Sequence, residues 1–414
     1  MRKYQQLFLV IISFVSIFSL LTYRYEYMKL LNVLEVLNFF GYPTDGLANC
    51  TILNETFYAD LENDNRFAKP PVTWTKIDQY FAYSAFWSNE DKMAFITMLG
   101  PKTAFSGFDC RIWFRLADHY ISSPGSFSYD ILPNVHNNDF HQYKVLCKPS
   151  DVPLDTTPYG ILLGRENSLK LFVPLRTQDE ARRDNDNLVI CVAPDYSGVP
   201  DTDLVEFIAY HILLGIRHFI IYDIGIHHQV LNFLHSIAGR KGIHKTLSTL
   251  SWQFPVVDND LEKSVLLKDC TMRTQGLTKH RILLSWNEYL VFNKDRHFIN
   301  IDQDDTDYAF EIKTCCSKRQ IKKSWPIALR KTLCVRTNET LTIANGSGKM
   351  SNQSPLIAGS IHKLEDMCKN IIGKDDKSMA KYMTDFVNSK LLNLWKSHVQ
   401  YSIMRTKNYN TFIN

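Results

Sequence analysis

The chain has 414 residues, of which 45% are apolar and 22% charged, so the composition is globular and excludes extensive disorder. Lys and Arg number 47 against 43 Asp and Glu, which gives a net charge of +4 with the two signs interspersed. A charge so nearly balanced disfavours a dedicated nucleic-acid-binding protein, which needs a basic stripe. The aromatic content of 13% fits β-rich structure and sugar stacking alike.

The N-terminus carries a hydrophobic segment. Arg2 and Lys3 precede a charge-free run over 4–23, and as a helix this run is long enough to cross a bilayer core of ~30 Å. No small-residue cleavage site follows it, which favours an uncleaved signal anchor at 7–23 over a cleaved signal peptide. The two leading cations place residues 1–6 in the cytosol. The sequence therefore predicts a type II membrane protein.

N-glycosylation sequons and cysteines agree with a body in the lumen of the secretory pathway. Acceptor sequons begin at Asn49, Asn54, Asn338 and Asn345, all C-terminal to the predicted anchor. The chain has nine cysteines, which could form disulfides in that oxidising compartment with one left over. Their spacing does not fit a zinc site, because no C-x-x-C pair occurs.

The elements after the anchor change character twice before residue 188. Residues 25–40 have helical apolar spacing, and a polar linker follows, so 24–73 is predicted to be a stem. Short aromatic and β-branched runs then alternate with turn residues as far as about 178. That spacing predicts an antiparallel β-rich module over 74–180.

Strands and helices alternate from residue 188 onwards. Buried strands are predicted at LVICVAP (188–194) and RHFIIYD (217–223), around LSTLSWQF, and in the run RILLSWNEYLVF (281–292). Asp203 and Glu206 have capping-box spacing, so Glu206 is interpreted as a helix cap rather than an acid catalyst. This order predicts a parallel sheet of the nucleotide-binding type. Dinucleotide, P-loop and nucleophile-elbow glycine motifs are absent, which disfavours dehydrogenases, P-loop NTPases and α/β-hydrolases.

Ligands of an open parallel sheet bind beyond the carboxyl ends of its strands. Asp195 follows the first predicted strand, Asp223 ends the second, and Glu288 lies within the fourth apolar run. A nucleotide-sugar transferase commonly uses a divalent cation held by two carboxylates at positions i and i+2. The corresponding positions are Ser285 and Asn287, which share one face of an ideal strand, whereas Glu288 points the other way.

These segments together resemble glycosyltransferase family 92, a group of Golgi galactosyltransferases with a GT-A-type domain. The resemblance covers roughly 188–340 and, more loosely, YSAFW at 83–87. It rests on the CVAP strand, the acid-bearing helix that ends in LLG and the strand that ends in Tyr222. The Asp269-Cys270 pair, Arg273 and Glu288 complete it.

The resemblance implies a fold and a function. The expected fold class is α/β, a GT-A-like nucleotide-sugar-binding sandwich over 188–370, preceded by the β-rich module and the anchor and followed by a helical tail over 371–414. The expected enzyme transfers a hexose, galactose by analogy, from a UDP-sugar to a glycan on a glycoprotein. The Golgi membrane, with the catalytic body in the lumen, is the expected location, and Mn²⁺ or a similar divalent cation the expected cofactor.

The resemblance also implies the roles of individual residues. Glu288 is the expected catalytic residue and, with Asn287, a metal ligand, while Cys191 and Cys270 are disulfide candidates. The expected donor-binding residues are Asp195, Tyr222, Asp223 and Arg273.

The metal motif departs from the family pattern. That pattern, Asp-x-Asp-Glu, reads Ser285-Trp286-Asn287-Glu288 here, so both aspartates are replaced. Asp302 and Asp304 form an alternative carboxylate pair, with a solvated acidic turn as the competing interpretation. The altered motif supports an alternative function, in which the chain is a catalytically degenerate relative that acts as a lumenal glycan-binding or chaperone-like protein.

Overall fold

The computed structural model of the chain divides it into two compact units, Met1–Thr56 and Phe57–Asn414. The residues that the structure describes belong to the second unit; they are 73–102, 105–116, 119–132, 139–152, 156–165, 170–177, 188–196, 198–237, 246–275, 278, 280–293, 307–317, 325–343, 354–365 and 373–400. The predicted anchor at 7–23 and nearly all of the predicted stem lie outside them, as do Asn49, Asn54, Asn345, Asp302 and Asp304.

The first sheet closes on itself. Its strands are β1 (Thr75–Ile77), β2 (Tyr80–Ser88), β3 (Met93–Pro101), β4 (Phe108–Leu116), β5 (His119–Ile131), β6 (Phe140–Pro149), β7 (Thr157–Arg165) and β8 (Leu171–Arg176). Their order is β1-β2-β3-β6-β5-β4-β7-β8, and all neighbouring pairs in this order are antiparallel. β8 also pairs with β2 in parallel, through Ala85 and Leu175, so that β2 to β8 form a closed seven-stranded sheet. We refer to it as the closed sheet.

Aromatic side chains and a disulfide hold the closed sheet together. Tyr80 and Phe105 stack with ring centroids 4.0 Å apart inside it. The Cys110–Cys147 disulfide joins β4 to β6 across the intervening β5. A Cβ added to Gly125 of β5 would lie 2.5 Å from the Sγ of Cys147 and 2.9 Å from that of Cys110. A glycine is therefore required where this disulfide crosses the strand.

The second sheet has four parallel strands, in the order β11-β10-β9-β12. Its elements in chain order are β9 (Leu188–Val192), α1 (Asp201–Leu213), β10 (His218–Asp223), α2 (His228–Ile237), β11 (Thr246–Ser251), α3 (Asn259–Thr274) and β12 (His280–Leu284). Local chemistry fixes the helix ends. Asp258 caps α3 by accepting hydrogen bonds from the N–H groups of Asp260 and Leu261, and Gly215 follows α1 with a φ of +91° that favours glycine.

Both faces of the parallel sheet are covered. Side chains alternate along β9, so Ile190 packs against α1 and α2 on one face while Cys191 packs against α3 on the other. Tyr83 and Leu99 of the closed sheet belong to the same apolar cluster as the α3 face. The closed sheet therefore buries one side of the parallel sheet together with α3.

The third sheet is built from the C-terminal part of the chain. It has the order β13-β16-β14-β15-β17, from β13 (Glu288–Phe292), β14 (Tyr308–Cys316), β15 (Leu333–Ile343), β16 (Leu356–Leu364) and β17 (Lys374–Asp375). α4 (Ile327–Arg330) precedes β15, and a 3₁₀ helix (Ser378–Tyr382) leads into α5 (Met383–Val387). Residues 390–400 are helical, and Trp395 within them packs 5.0 Å from Phe233 of α2, centroid to centroid.

The expected fold class is wrong. The described residues form 17 strands with few helices, and the largest sheet is the closed one, whereas an α/β sandwich of the GT-A type behind an anchor was expected. The parallel sheet has four strands, and the residues after it build a further five-stranded sheet that is mostly antiparallel. In the described part of the chain, no helix has both the length and the apolar character needed to cross a membrane.

Candidate functional site

The carboxyl ends of the four parallel strands lie along one edge of their sheet, which we call the carboxyl edge. β9 lies between β10 and β12, so the segments that follow these three strands meet there. The pairing continues just past the strands, since the N–H of Ala193 donates to the carbonyl of Leu284 at 2.8 Å. Asp195, after β9, is therefore placed between Asp223 at the end of β10 and Glu288 just beyond β12. All three carboxylates are half-buried.

Asp223 is held by the loop that it begins. Its Oδ1 accepts hydrogen bonds from the N–H groups of Gly225 at 2.8 Å and Ile226 at 2.7 Å. Gly225 has a φ of +137°, a conformation that L side chains rarely adopt. The carboxylate therefore fixes the turn from β10 towards α2, and its orientation at the carboxyl edge is fixed in return.

Tyr196, which with Asp195 follows the first strand, is an exposed aromatic residue at this edge and was not among the expected donor-binding residues. The residue is 64% exposed, yet its hydroxyl donates to Oε1 of Glu262 at 2.6 Å. The fully buried Trp252, which follows β11, donates its Nε1–H to the same oxygen at 2.7 Å. Partial burial and the bond to Glu262 raise the pKa of Tyr196, so the phenol stays protonated as the donor. The available signal was an aromatic residue directly after the first strand-end aspartate.

Residues 285–288 form a tight turn between β12 and β13, whereas the sequence predicted one apolar run. The N–H of Glu288 donates to the carbonyl of Ser285 at 2.9 Å, and Oε2 of Glu288 accepts the N–H of Ser285 at 2.8 Å. Asn287 donates its Nδ2–H to the carbonyl of Leu364 at 3.2 Å, which ties the turn to β16. Trp286 is buried against Phe207 of α1. The alternation of faces expected for a strand therefore does not apply here.

The 285–288 turn does not fit a divalent cation. Its donor set contains one carboxylate, that of Glu288, and one of the two oxygens of that carboxylate already accepts a backbone N–H. Ser285 and Asn287 contribute no charge; the hydrogen bond to Leu364 uses the Nδ2 of Asn287, which leaves its Oδ1 as a neutral ligand. Hard cations such as Mg²⁺ and Ca²⁺ bind sets of charged oxygens.

Tyr222 and Arg273, two of the expected donor-binding residues, lie in a buried cluster around Asp269 on the α3 face of the sheet. Arg273 donates to Asp269 through Nε at 2.6 Å and through a terminal nitrogen at 3.2 Å. The hydroxyl of Tyr222 donates at 2.6 Å and that of Ser84, from β2, at 2.5 Å. Burial raises the pKa of Tyr222, and the Asp269 carboxylate raises it further. The structure therefore does not bring these two residues together with Asp195, Asp223 and Glu288.

A disulfide lies next to this cluster. Cys191 of β9 and Cys270 of α3, the disulfide candidates, are joined with an S–S distance of 2.06 Å. The bond fixes α3 to β9, an inner strand of the sheet. Cys270 directly follows Asp269 in the chain.

Glu206 is not the helix cap that the sequence predicted. α1 already begins at Asp201, after Pro200 as its N-cap residue, so Glu206 lies inside the helix. Its side chain is buried, and Oε2 accepts the N–H of Ile327 at 2.6 Å, at the start of α4. Burial raises the pKa of Glu206 to about 7. The carboxyl group therefore connects α1 to α4.

Two further positions complete the comparison with the sequence. Asn338 lies exposed on β15. Cys315, Cys334 and His362 offer ligand atoms within 4.8 Å of one another, but Cys315 and Cys334 are joined in a disulfide, so their sulfurs are not available to a metal.

Residues 186–324 match the family model described as Glycosyltransferase family 92. The matched segment contains all four strands of the parallel sheet, its three helices and the 285–288 turn. No curated protein matches the chain significantly. The match covers about a third of the chain, and over that segment the chain is similar to glycosyltransferase family 92.

Proposed function

We propose that the protein transfers a hexose, galactose by family analogy, from UDP-galactose or another UDP-sugar to a glycan on a glycoprotein. The observation that carries the proposal is that the family match spans the whole carboxyl edge of the parallel sheet. Open parallel sheets bind their ligands at this edge. Three half-buried carboxylates and one exposed, oriented aromatic ring stand there.

In this proposal the donor binds at the ends of β9 and β10. The carboxylates of Asp195 and Asp223 accept hydrogen bonds from donor hydroxyl groups. The Tyr196 ring offers its open face to the planar base, and the bond between its hydroxyl and Glu262 holds it in place before binding. Tyr222 and Arg273 support this edge from the Asp269 cluster and do not contact the donor.

Glu288 is the proposed general base of an inverting transfer. An acceptor hydroxyl loses its proton to the carboxylate while its oxygen forms a bond to the anomeric carbon, and the bond from that carbon to the UDP oxygen breaks. Oε2 of Glu288 accepts a hydrogen bond from the N–H of Ser285. That bond fixes the orientation of the carboxylate.

The divalent cation that the family resemblance implies stays a prediction. The 285–288 turn does not fit it, and no step of the proposed transfer is assigned to it. Bound to a donor diphosphate, such a cation would neutralise charge on the leaving group.

A second candidate function, a degenerate relative that binds glycans or acts as a chaperone, is favoured by the turn itself. The side chains of Asn287 and Glu288 both make hydrogen bonds that close or anchor the turn. Restoring the family pattern with Ser285→Asp and Asn287→Asp separates the two candidates. If the native chain is inactive, a folded double variant with Mn²⁺-dependent UDP-sugar turnover would identify a degenerate transferase.

Glu288→Gln tests the leading proposal. A lost general base typically costs 10²- to 10⁴-fold in rate, so we expect kcat to fall by at least about 100-fold with UDP binding unchanged. Glu365→Gln is the matched control, because Glu365 is exposed just after β16 and is not part of the turn. A native rate in the Glu288 variant would remove Glu288 from the reaction.

The lumen of the secretory pathway is the proposed location, and the Golgi within it rests on the family resemblance. Disulfides persist in oxidising compartments, and the structure holds Cys110–Cys147, Cys191–Cys270 and Cys315–Cys334. Asn338 is exposed and open to glycosylation. Loss of one glycan in Asn338→Gln, read from the mobility before and after glycosidase treatment, would support a lumenal body.

A further inference from the structure

A cavity of about 190 Å³ opens between the closed sheet and the C-terminal end of α3. Phe86, Trp87 and Phe95, from β2 and β3, contribute its aromatic lining. Met272 and Gln275 line it from the α3 side. The cavity is smaller than the roughly 300–1,000 Å³ of pockets for drug-sized ligands, so its occupant is a single ring-sized unit.

The charges that line the cavity are balanced. Glu90 and Asp91 supply two carboxylates, and Lys144 and Arg176 supply two cations. Arg273 also reaches the wall, but its charge is already matched by the bidentate contact with Asp269. A balanced lining does not select an anion, whereas it offers both donors and acceptors to a neutral, hydroxyl-rich ligand.

Internal hydrogen bonds fix the walls of the cavity. Trp87 donates its Nε1–H to Oδ1 of Asn89 at 2.9 Å. Ser88 donates its hydroxyl to Asp91 at 3.0 Å and accepts the N–H of Asp91 at 3.1 Å. The ammonium group of Lys144 lies 4.5 Å from the centroid of the Phe95 ring. Side chains held in this way lose little conformational entropy when a ligand binds.

The cavity lies away from the carboxyl edge. α3 follows β11 and precedes β12, so the helix begins at the carboxyl edge and its last turn, with Met272 and Arg273, lies towards the amino ends of the parallel strands. The cavity is therefore a second site, distinct from the proposed site of transfer.

We propose that this cavity binds one neutral sugar unit of a glycan. Among the aromatic side chains of the lining, the half-buried Phe95 offers apolar surface to the C–H groups of a sugar, and the carboxylates and cations bond to its hydroxyl groups. The choice of a glycan over another neutral polar ligand rests on the proposed function. A site of this kind holds a glycoprotein acceptor or product by a unit remote from the reacting one.

Saturation-transfer NMR on the purified full chain tests the proposal. The probes are the methyl glycosides of galactose, N-acetylglucosamine and mannose at millimolar concentration, with the anionic methyl glycoside of N-acetylneuraminic acid as comparison. Lys144→Met removes the ammonium donors from the cavity, and Glu90→Gln removes a carboxylate charge and replaces one acceptor oxygen with an N–H donor group, both with little change of shape. Lys148→Met is the matched control, because Lys148 is exposed on the same strand, β6, and does not line the cavity.

We expect at least one neutral glycoside to bind, both cavity variants to weaken it about tenfold, and Lys148→Met to leave it unchanged. Saturating UDP should not displace it, because UDP belongs at the carboxyl edge. The proposal is overturned if no neutral glycoside binds, if only the anionic one does, if the cavity variants bind as the native chain does, or if UDP competes. Glycoside binding without any UDP binding would contradict the proposed transferase function and would still support this glycoside site.

Discussion

Asp269→Asn removes the charge at the centre of the buried cluster on α3. Asp269 is fully buried and accepts hydrogen bonds from Arg273, Tyr222 and Ser84. Arg273 is itself only 4% exposed. Asparagine keeps the size of the side chain but leaves the guanidinium as an uncompensated charge inside the protein.

Breaking one partner of a buried ion pair costs about 3–5 kcal/mol. The unfolding entropy is about 2.1 cal/mol/K per residue, so in a unit as large as Phe57–Asn414 each 1 kcal/mol lowers the melting temperature by about 1.3 °C, and we expect a fall on the order of 5 °C. Ser84 belongs to the closed sheet and Asp269 to α3, so the loss should also weaken the contact between these two parts.

The assay is thermal unfolding of the full chain, with Asp260→Asn as the control on the same helix. Asp260 is exposed in the first turn of α3, where an acidic residue contributes only about 0.3–1 kcal/mol through the helix dipole. The double variant Asp269→Leu with Arg273→Met should recover only part of the loss: it removes the uncompensated charge, but it leaves the hydroxyls of Tyr222 and Ser84 without their acceptor. Equal melting temperatures for the Asp269 and Asp260 variants would refute the reasoning.

Two further predictions concern stability. Burial raises the pKa of Glu206 from 4.5 to about 7, so its contribution to stability is full below about pH 4.5 and is lost as pH rises through 7. Relative to the native chain, Glu206→Gln should therefore gain on the order of 3 kcal/mol between pH 4.5 and 8 in denaturant titrations; a constant difference would contradict this. Replacing both Cys191 and Cys270 with alanine opens a loop with a sequence separation of 79 and should cost about 4 kcal/mol. An unchanged unfolding midpoint would show that the disulfide does not restrict the unfolded chain.

The local elements between 188 and 284 could be predicted, because each apolar run there is bounded by its own stop signals. LVICVAP contains β9 and RHFIIYD contains β10, with Gly215 between them at the end of α1. The fold class could not be predicted, because it depends on pairings between distant segments. β8 closes on β2, and β13 pairs with β16, so neither contact leaves a local pattern in the sequence.

In the candidate site, too, features set by local sequence could be predicted and features set by long-range contacts could not. The positions of Asp195 and Asp223 follow from the ends of two strands, which the apolar runs define. Tyr222 and Arg273 lie in a strand and a helix as predicted, but their side chains bind Asp269. Ser84, which donates to the same carboxylate, is far away in the chain. Tertiary contacts of this kind decide whether a polar side chain faces a ligand or the core.

The most direct test of the account is the melting temperature of the full chain with UDP-galactose, with and without Mn²⁺. A ligand at 100 times its dissociation constant adds about 2.7 kcal/mol, which should raise the melting temperature by several degrees. We predict that rise in at least one of the two conditions, and we predict that Asp195→Asn reduces it. No shift with UDP-galactose or any other UDP-sugar, in either condition, would contradict a donor site at the carboxyl edge.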